Sequence, residues 1–143
     1  MNRLKTLLTA IVFLFLSLWS HSQIIKQRLP DKLIILTFDD ATASQYSVVA
    51  PLLKQYGFGA TFFICEFPPN FRDSSKYMNW RQIGELNNAG FEIANHTKNH
   101  PLLTRIKPVE MEKQIAYINE QCDSVKIPKP VTFAYPAYDL DSN

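Results

Sequence analysis

Four short apolar runs, separated by helical patterns and polar turns, constrain this chain more than any other feature. Residues 33–38 (LIILTF), 60–65 (ATFFIC), 91–94 (FEIA) and 131–135 (VTFAY) are rich in β-branched and aromatic side chains and are nearly continuous rather than alternating. A strand covered on both faces reads this way, whereas a strand with one wet face alternates apolar with polar. Helical signals fall between the runs. Asn79 with Gln82 makes a capping box, Met78 and Ile83 make the flanking hydrophobic staple, and Gly90 suits the C-terminal cap, which predicts a helix over residues 80–89. Pro108 suits a first helical position, and Met111, Ile115, Ile118 and Cys122 then share one helical face to about residue 124. An earlier helix falls within residues 43–56, started by Thr42 and Gln45 and kinked or restarted by Pro51 before Gly57. Strand, helix, strand in series implies parallel strands with right-handed crossovers, so the fold class is α/β with four buried strands.

Composition narrows the function classes. At 143 residues the chain is one domain at most. Arg3 and Lys5 precede an apolar run from Leu7 to Trp19, and Ser20, His21 and Ser22 then form a small-residue pattern before Gln23. This is the build of a secretory signal peptide over residues 1–22, which places the mature protein, residues 23–143, outside the cytoplasm, secreted or periplasmic. A run of that length falls short of a bilayer core of roughly 30 Å; an uncleaved anchor is the alternative. Without Arg3 and Lys5 the mature chain has equal numbers of basic and acidic residues, which argues against nucleic acid or an anionic membrane as its partner. Cys65 and Cys122 are too few for a disulfide framework and read as buried small apolar residues.

Parallel sheets and barrels carry their sites at the C-terminal strand ends, and the unusual polar residues fall there. Asp39 and Asp40 end the first run, Asn95 and His96 end the third, and Tyr135 and Pro136 end the fourth. Successive strand residues point to opposite faces, so both aspartates serve one site only if the chain turns there, and then in different roles. The spacing of His96 and His100 puts both rings on one face of a helical turn, as metal binding needs, but HTKNH lacks the glutamate of the HExxH metalloprotease helix. Two imidazoles and one carboxylate give three ligands with open positions, a set that suits catalytic zinc and also non-haem iron. A second, free carboxylate is what hydrolysis asks of a general base.

The segments ILTFDD, YGFGATFFI, GFEIANHTKNH and TFAYP resemble, in order and spacing, the polysaccharide deacetylases, the NodB-homology group of carbohydrate esterases (family 4). The resemblance covers residues 33–138 and implies the N-terminal part of a distorted (β/α) barrel, here ending after about four strands. It implies metal-dependent removal of acetyl groups from an extracellular or cell-envelope polysaccharide. Carried over by position, Asp39 resembles the catalytic base, and Asp40, His96 and His100 resemble the metal ligands. Zinc is the implied metal, with other divalent transition metals compatible. The backbone N–H of Ala137 resembles the oxyanion donor, and Tyr135, Pro136, Phe67 and Tyr77 are the candidate substrate contacts. Thr97 and Asn95 read as simple polar loop residues. Trp80 reads as a packing residue.

The chain departs from the pattern in three places. Ala41 stands where the family commonly has glycine, and Ala134 where many members carry an arginine that positions the base. The late histidine that protonates the leaving group in the family lies beyond the sequence pattern present, so this chain is expected to be an incomplete and poorly active portion of a deacetylase domain. A metal- or carbohydrate-binding remnant without turnover is the alternative. The glycan, and the choice between N- and O-deacetylation, are not written in these residues.

Overall fold

A computed structural model describes residues 30–66 and 70–139. The expected signal segment and Phe67 lie outside the described residues. Among the described residues no helix is long and apolar enough to cross a membrane.

Three parallel strands form the sheet in the order β1 (Thr37–Asp39), β2 (Thr61–Ile64), β3 (Glu92–Asn95). The register sets Asp39 beside Phe63, which lies beside Ala94, and likewise sets Ile64 beside Asn95. Because side chains alternate along a strand, Phe38, Phe62, Ile64, Ile93 and Asn95 share one face, and Asp39, Phe63 and Ala94 share the other. The first face carries the core. Phe62 stacks on Phe38 at 5.2 Å and meets Phe91 edge-on at 5.4 Å. Ile83, Leu86, Ile118 and Cys122 cover it from the helices. Phe62 is fully buried at its centre; truncating such a ring to alanine costs about 3–5 kcal/mol.

The helices follow the sequence signals closely. A π-helical turn, Gln45–Val49, leads into α1 (Ala50–Tyr56), where Pro51 occupies the first turn and costs no intrahelical bond. Gly57 closes α1 at φ 69°, a conformation that asks for glycine. In α2 (Trp80–Asn88) both halves of the capping box form between Asn79 and Gln82. The longest helix, α3 (Pro108–Ser124), starts at its proline as expected. Short 3-10 turns occupy Asn70–Arg72, Leu103–Arg105 and Pro136–Tyr138. Both cysteines are free and buried.

The expectation of four strands buried on both faces needs correcting at the margins. The first run pairs only over Thr37–Asp39, and Ile34 and Ile35 before it are 80% and 74% exposed. The fourth run contributes one parallel bridge, Asn95 to Phe133, with Val131 91% exposed. Both runs lie at the sheet's margins, where apolar composition brings no second neighbour to pair with or pack under. Their sequence records strand propensity, and burial depends on partners that the described residues do not supply.

Candidate metal centre

The chain turns directly after β1. Asp40 and Ala41 both take left-handed backbone angles, φ 73° and 52°, so the two aspartates do not simply alternate across the sheet. The turn is tied down by Met78 N–H on the Ala41 carbonyl and Ala43 N–H on the Lys76 carbonyl, each 2.8 Å. Ala41 is fully buried. A left-handed alanine costs roughly 1–2 kcal/mol that a glycine avoids, and these contacts hold it in place. Gln45 donates its side-chain amide to the Asp39 carbonyl oxygen, fixing the backbone between the two aspartates. Its own amide oxygen is buried with no partner among the described residues.

The histidine pair is held by β3 and the loop after it. His96 continues the ladder one residue past β3 through its N–H on the Ile64 carbonyl at 3.0 Å. By alternation His96 then faces the same side as Ala94 and Asp39. The segment between the histidines is not helical: Thr97 and His100 have φ 66° and 52°. The expected helical turn is therefore wrong, and the reason is local hydrogen bonding. The Asn95 side-chain oxygen accepts the Thr97 N–H at 2.9 Å, and the Thr97 hydroxyl accepts the His100 N–H at 3.1 Å. Asn95 Nδ2 anchors the loop to α3 through the Ile115 carbonyl (2.9 Å) and Asn119 Oδ1 (3.2 Å). Asn95 and Thr97 are buried, so the reading of both as plain loop polar residues fails as well. The left-handed turn still brings the two rings together, with centroids 4.8 Å apart at 71°.

Asp40, His96 and His100 each bring one donor atom to a common point, all within 4.8 Å of one another. Asp40 Oδ1 lies 3.6 Å from Nε2 of each histidine. Zinc bonds of about 2.0–2.1 Å at tetrahedral angles would set donors about 3.4 Å apart, close to the two aspartate–histidine separations. The tautomer agrees. His96 Nδ1 lies 2.8 Å from the Ala134 carbonyl oxygen, which only accepts, so Nδ1 carries the proton and Nε2 turns its lone pair toward Asp40. Burial, and next the neighbouring His96, lower the His100 imidazole from its ordinary value, while Asp40 and Asp39 oppose them. The neutral form that a metal requires is thereby favoured. The His96 lone pair and the Asp40 carboxylate facing one another suit a cation between them. Three protein donors leave open positions, as a catalytic site keeps.

Asp39, the residue before Asp40, is exposed and is not one of the three converging donors. The Cys65 thiol lies 3.6 Å from Asp40 Oδ1, and burial, then Asp40, push it well above its ordinary value. It stays a protonated donor to the aspartate. The Ala134 contact brings the fourth run to the site. Pro136 is buried, Tyr135 is half exposed, and Ala137 sits at φ 54° in an exposed turn. Tyr77 bridges to Thr42 beside the aspartate turn, with its ring 6.3 Å from Phe71. Trp80 packs against the core as expected, and its indole N–H also donates to Glu66 Oε1 at 2.6 Å. Glu66 and Gln114, whose Oε1 accepts the Asn99 N–H at 2.8 Å, were not singled out in the sequence, whereas Cys65 and Gln45 read there only as a buried apolar residue and a helix-start residue. Position gave the one available signal: Cys65 and Glu66 directly follow a strand end.

Comparison with known proteins agrees with this geometry. The model of the polysaccharide deacetylase family matches residues 26–143. The chain is 33% identical over 111 residues to the peptidoglycan-N-acetylmuramic acid deacetylase PdaC of Bacillus subtilis, covering 75% of this chain and 21% of that protein. It is 33% identical over 84 residues to a bifunctional xylanase/deacetylase of Pseudobutyrivibrio xylanivorans, covering 59% and 13%. The solved structure of the Streptococcus pyogenes deacetylase PplD in complex with acetate superposes with a TM-score of 0.67 at 26% identity, covering 82% of this chain and 52% of that one. The chain thus spans about half the length of PplD and a smaller share of the two sequence relatives. Strand order, the helices between strands and the family match agree, and the chain belongs to the polysaccharide deacetylase family.

Proposed function

We propose that this chain supplies the metal and base side of a hydrolytic centre that removes acetyl groups from an acetylated polysaccharide outside the cytoplasm. One observation carries the reading: the donor atoms of Asp40, His96 and His100 converge within 4.8 Å at the strand-end rim. Asp39 directly precedes Asp40 and is not among the donors, which leaves its carboxylate free for the role of base in this reading. When bound, a zinc ion there supplies Lewis acidity for the acetyl carbonyl and for the attacking water. Asp39 takes the proton from that water. The Ala134 carbonyl keeps His96 in the tautomer that ligates. The backbone N–H of Ala137, in the turn just past the Ala134 contact, is offered to the developing oxyanion. Tyr135 and Tyr77, exposed and half-buried near the cluster, are the substrate contacts this reading offers. The similarity to named deacetylases of peptidoglycan and to a xylanase/deacetylase supports an acetylated glycan as the substrate class.

Leaving-group chemistry sharpens the reading. Both histidines among the described residues stand in the cluster, so neither is available to protonate a departing amine. An ester expels an alkoxide and asks less of a general acid than an amide does. Release of acetate by the zinc-loaded full chain is therefore expected to be faster from an acetylated xylo-oligosaccharide than from a chitin oligomer, and Asp39→Asn is expected to lower it at least a hundredfold. Acetate release that survives both chelation and Asp39→Asn would overturn the proposal. Mass spectrometry of exported protein should find Gln23 as the first residue. A retained Met1 would favour the anchored form.

A further inference from the structure

The turn that follows the fourth run is pinned to the histidine loop at both ends. On its near side the Ala134 carbonyl oxygen lies 2.8 Å from His96 Nδ1. On its far side the Asp139 carboxylate accepts from Thr104 twice: the backbone N–H reaches Oδ2 at 2.8 Å, and the hydroxyl lies 2.9 Å from both oxygens. Thr104 sits in the 3-10 turn Leu103–Arg105, a few residues past His100. One anchor is thus a member of the metal cluster, and the other lies just beyond its second histidine.

Local chemistry explains why the far anchor forms. The N-cap of that 3-10 turn is Leu102, whose side chain accepts nothing, so the capping oxygen comes instead from Asp139, 35 positions along the chain. Leu103 beside it is buried, and the anchor point is therefore held by the fold.

The span between the anchors is strained. Ala137 and Tyr138 both have φ 54°, a left-handed conformation that a Cβ disfavours. Such residues persist where their surroundings over-determine them. Both side chains are exposed, Tyr138 91%, and give the turn little packing of its own. The fastening falls to buried Pro136, whose carbonyl accepts the Asp139 N–H at 3.0 Å, and to the Asp139 carboxylate on Thr104.

We propose that Asp139 is a positioning residue: with Thr104 it holds the left-handed turn so that the Ala137 N–H stays aligned on the developing oxyanion. This rests on the deacetylase reading above and adds to it a carboxylate that acts without touching substrate or metal. Both ends of the turn are referred to the histidine loop, so the donor keeps its place relative to the reacting carbonyl only while both anchors hold. Loss of the Asp139 anchor lets Ala137 and Tyr138 relax toward ordinary backbone angles, which turns the N–H away.

The test uses the zinc-loaded full chain and a small fluorogenic acetyl ester, which needs no glycan contacts. An oxyanion donor acts in the transition state, so Asp139→Ala should lower kcat about tenfold with KM unchanged, less than the roughly 100–1,000-fold lost when such a donor is deleted outright. Zinc affinity against a competing chelator should stay within about twofold of the parent, whereas a residue that orients the ligands changes it 10–100-fold. Thr104→Val keeps the backbone N–H and loses the hydroxyl, so kcat should fall about threefold, and Thr104→Ser should recover it. Thr104 is exposed, so this pair reports even where Asp139→Ala proves unstable. In the metal-free chain the Thr104 amide should exchange with solvent several-fold faster in Asp139→Ala than in the parent. A kcat within about twofold of the parent in Asp139→Ala, or Thr104→Ser no better than Thr104→Val, would overturn the positioning role alone. A fall in kcat matched by an equal fall in zinc affinity would overturn it too, since the residue would then be supporting the ligands. No acetate release from the parent would overturn the deacetylase reading and the role with it.

Discussion

Asn95 is the residue through which the histidine loop is fastened to the fold, and Asn95→Ala tests that directly. The side chain is 3% exposed and makes three hydrogen bonds: two as donor to α3, at 2.9 and 3.2 Å, and one as acceptor from the Thr97 N–H at 2.9 Å. Each is worth about 1 kcal/mol net. Alanine also leaves the N–H of fully buried Thr97 without its acceptor, so a loss of about 3 kcal/mol is expected. With a urea slope of about 1.5 kcal/mol per molar for a domain of this size, the unfolding midpoint should fall by about 2 M. The second readout is zinc affinity, measured against a competing chelator. A residue that orients ligands without touching the metal typically changes affinity 10–100-fold, and Thr97 in turn positions the His100 N–H. Asn95→Asp separates the contributions, because it keeps an acceptor for Thr97 while turning both donors into acceptors that face the Ile115 carbonyl and Asn119 Oδ1. It should be no more stable than the alanine variant. A midpoint within about 0.3 M of the parent, with zinc affinity unchanged, would refute the claim that this side chain builds the loop.

Three further outcomes follow from groups away from the metal. Burial, and then the Glu66 hydrogen bond, push the Tyr117 phenol up to about 12, above its ordinary value near 10; its contribution to stability is present in full below pH 10 and lost as pH rises through about 12. Comparing the alkaline unfolding and tyrosinate absorbance of the parent with Tyr117→Phe checks this, and identical curves above pH 10 would count against it. Cys65 and Cys122 are fully buried, the first pushed strongly up and the second to about 11 by burial, so a thiol reagent at neutral pH should label neither before unfolding and both after it. Asn79→Ala removes the acceptor for the Gln82 N–H at 3.0 Å and should cost about 1 kcal/mol in a chemical denaturation.

Helix signals were legible because they are local. Asn79 and Gln82 satisfy each other across three residues, Pro108 opens α3 for want of an N–H, and Ile118 and Cys122 bury the face that their spacing marks. The strand margins were not legible, since Ile34 and Val131 have strand composition and no partner among the described residues. The ligand trio could be read from residue types and rim position, but the path between the histidines could not. A four-residue spacing suggests a helical turn on local grounds. Here the Asn95 side chain, held by a carbonyl of α3 twenty positions away, selects a left-handed turn instead. Glu66 was hidden for a similar reason: its partners, Trp80 and Tyr117, come from two different helices.

The two alanines that depart from the family pattern show why side-chain identity is a limited guide at this site. At position 134 the visible contact is a backbone carbonyl accepting from His96, which any residue can supply. Ala134 therefore keeps the His96 contact while offering no long cationic side chain there. The Gln45 amide holds the Asp39 carbonyl rather than the carboxylate. Backbone and carboxylate of Asp39 are thus controlled separately: the first is fixed by a buried amide, and the residue itself is exposed. The converging donors, by contrast, are bound into the fold, with His96 buried under the fourth run and Asp40 set by a turn pinned to residues 76–78. Metal affinity should accordingly depend on the buried hydrogen bonds behind the ligands, and turnover on how the substrate itself settles the Asp39 carboxylate.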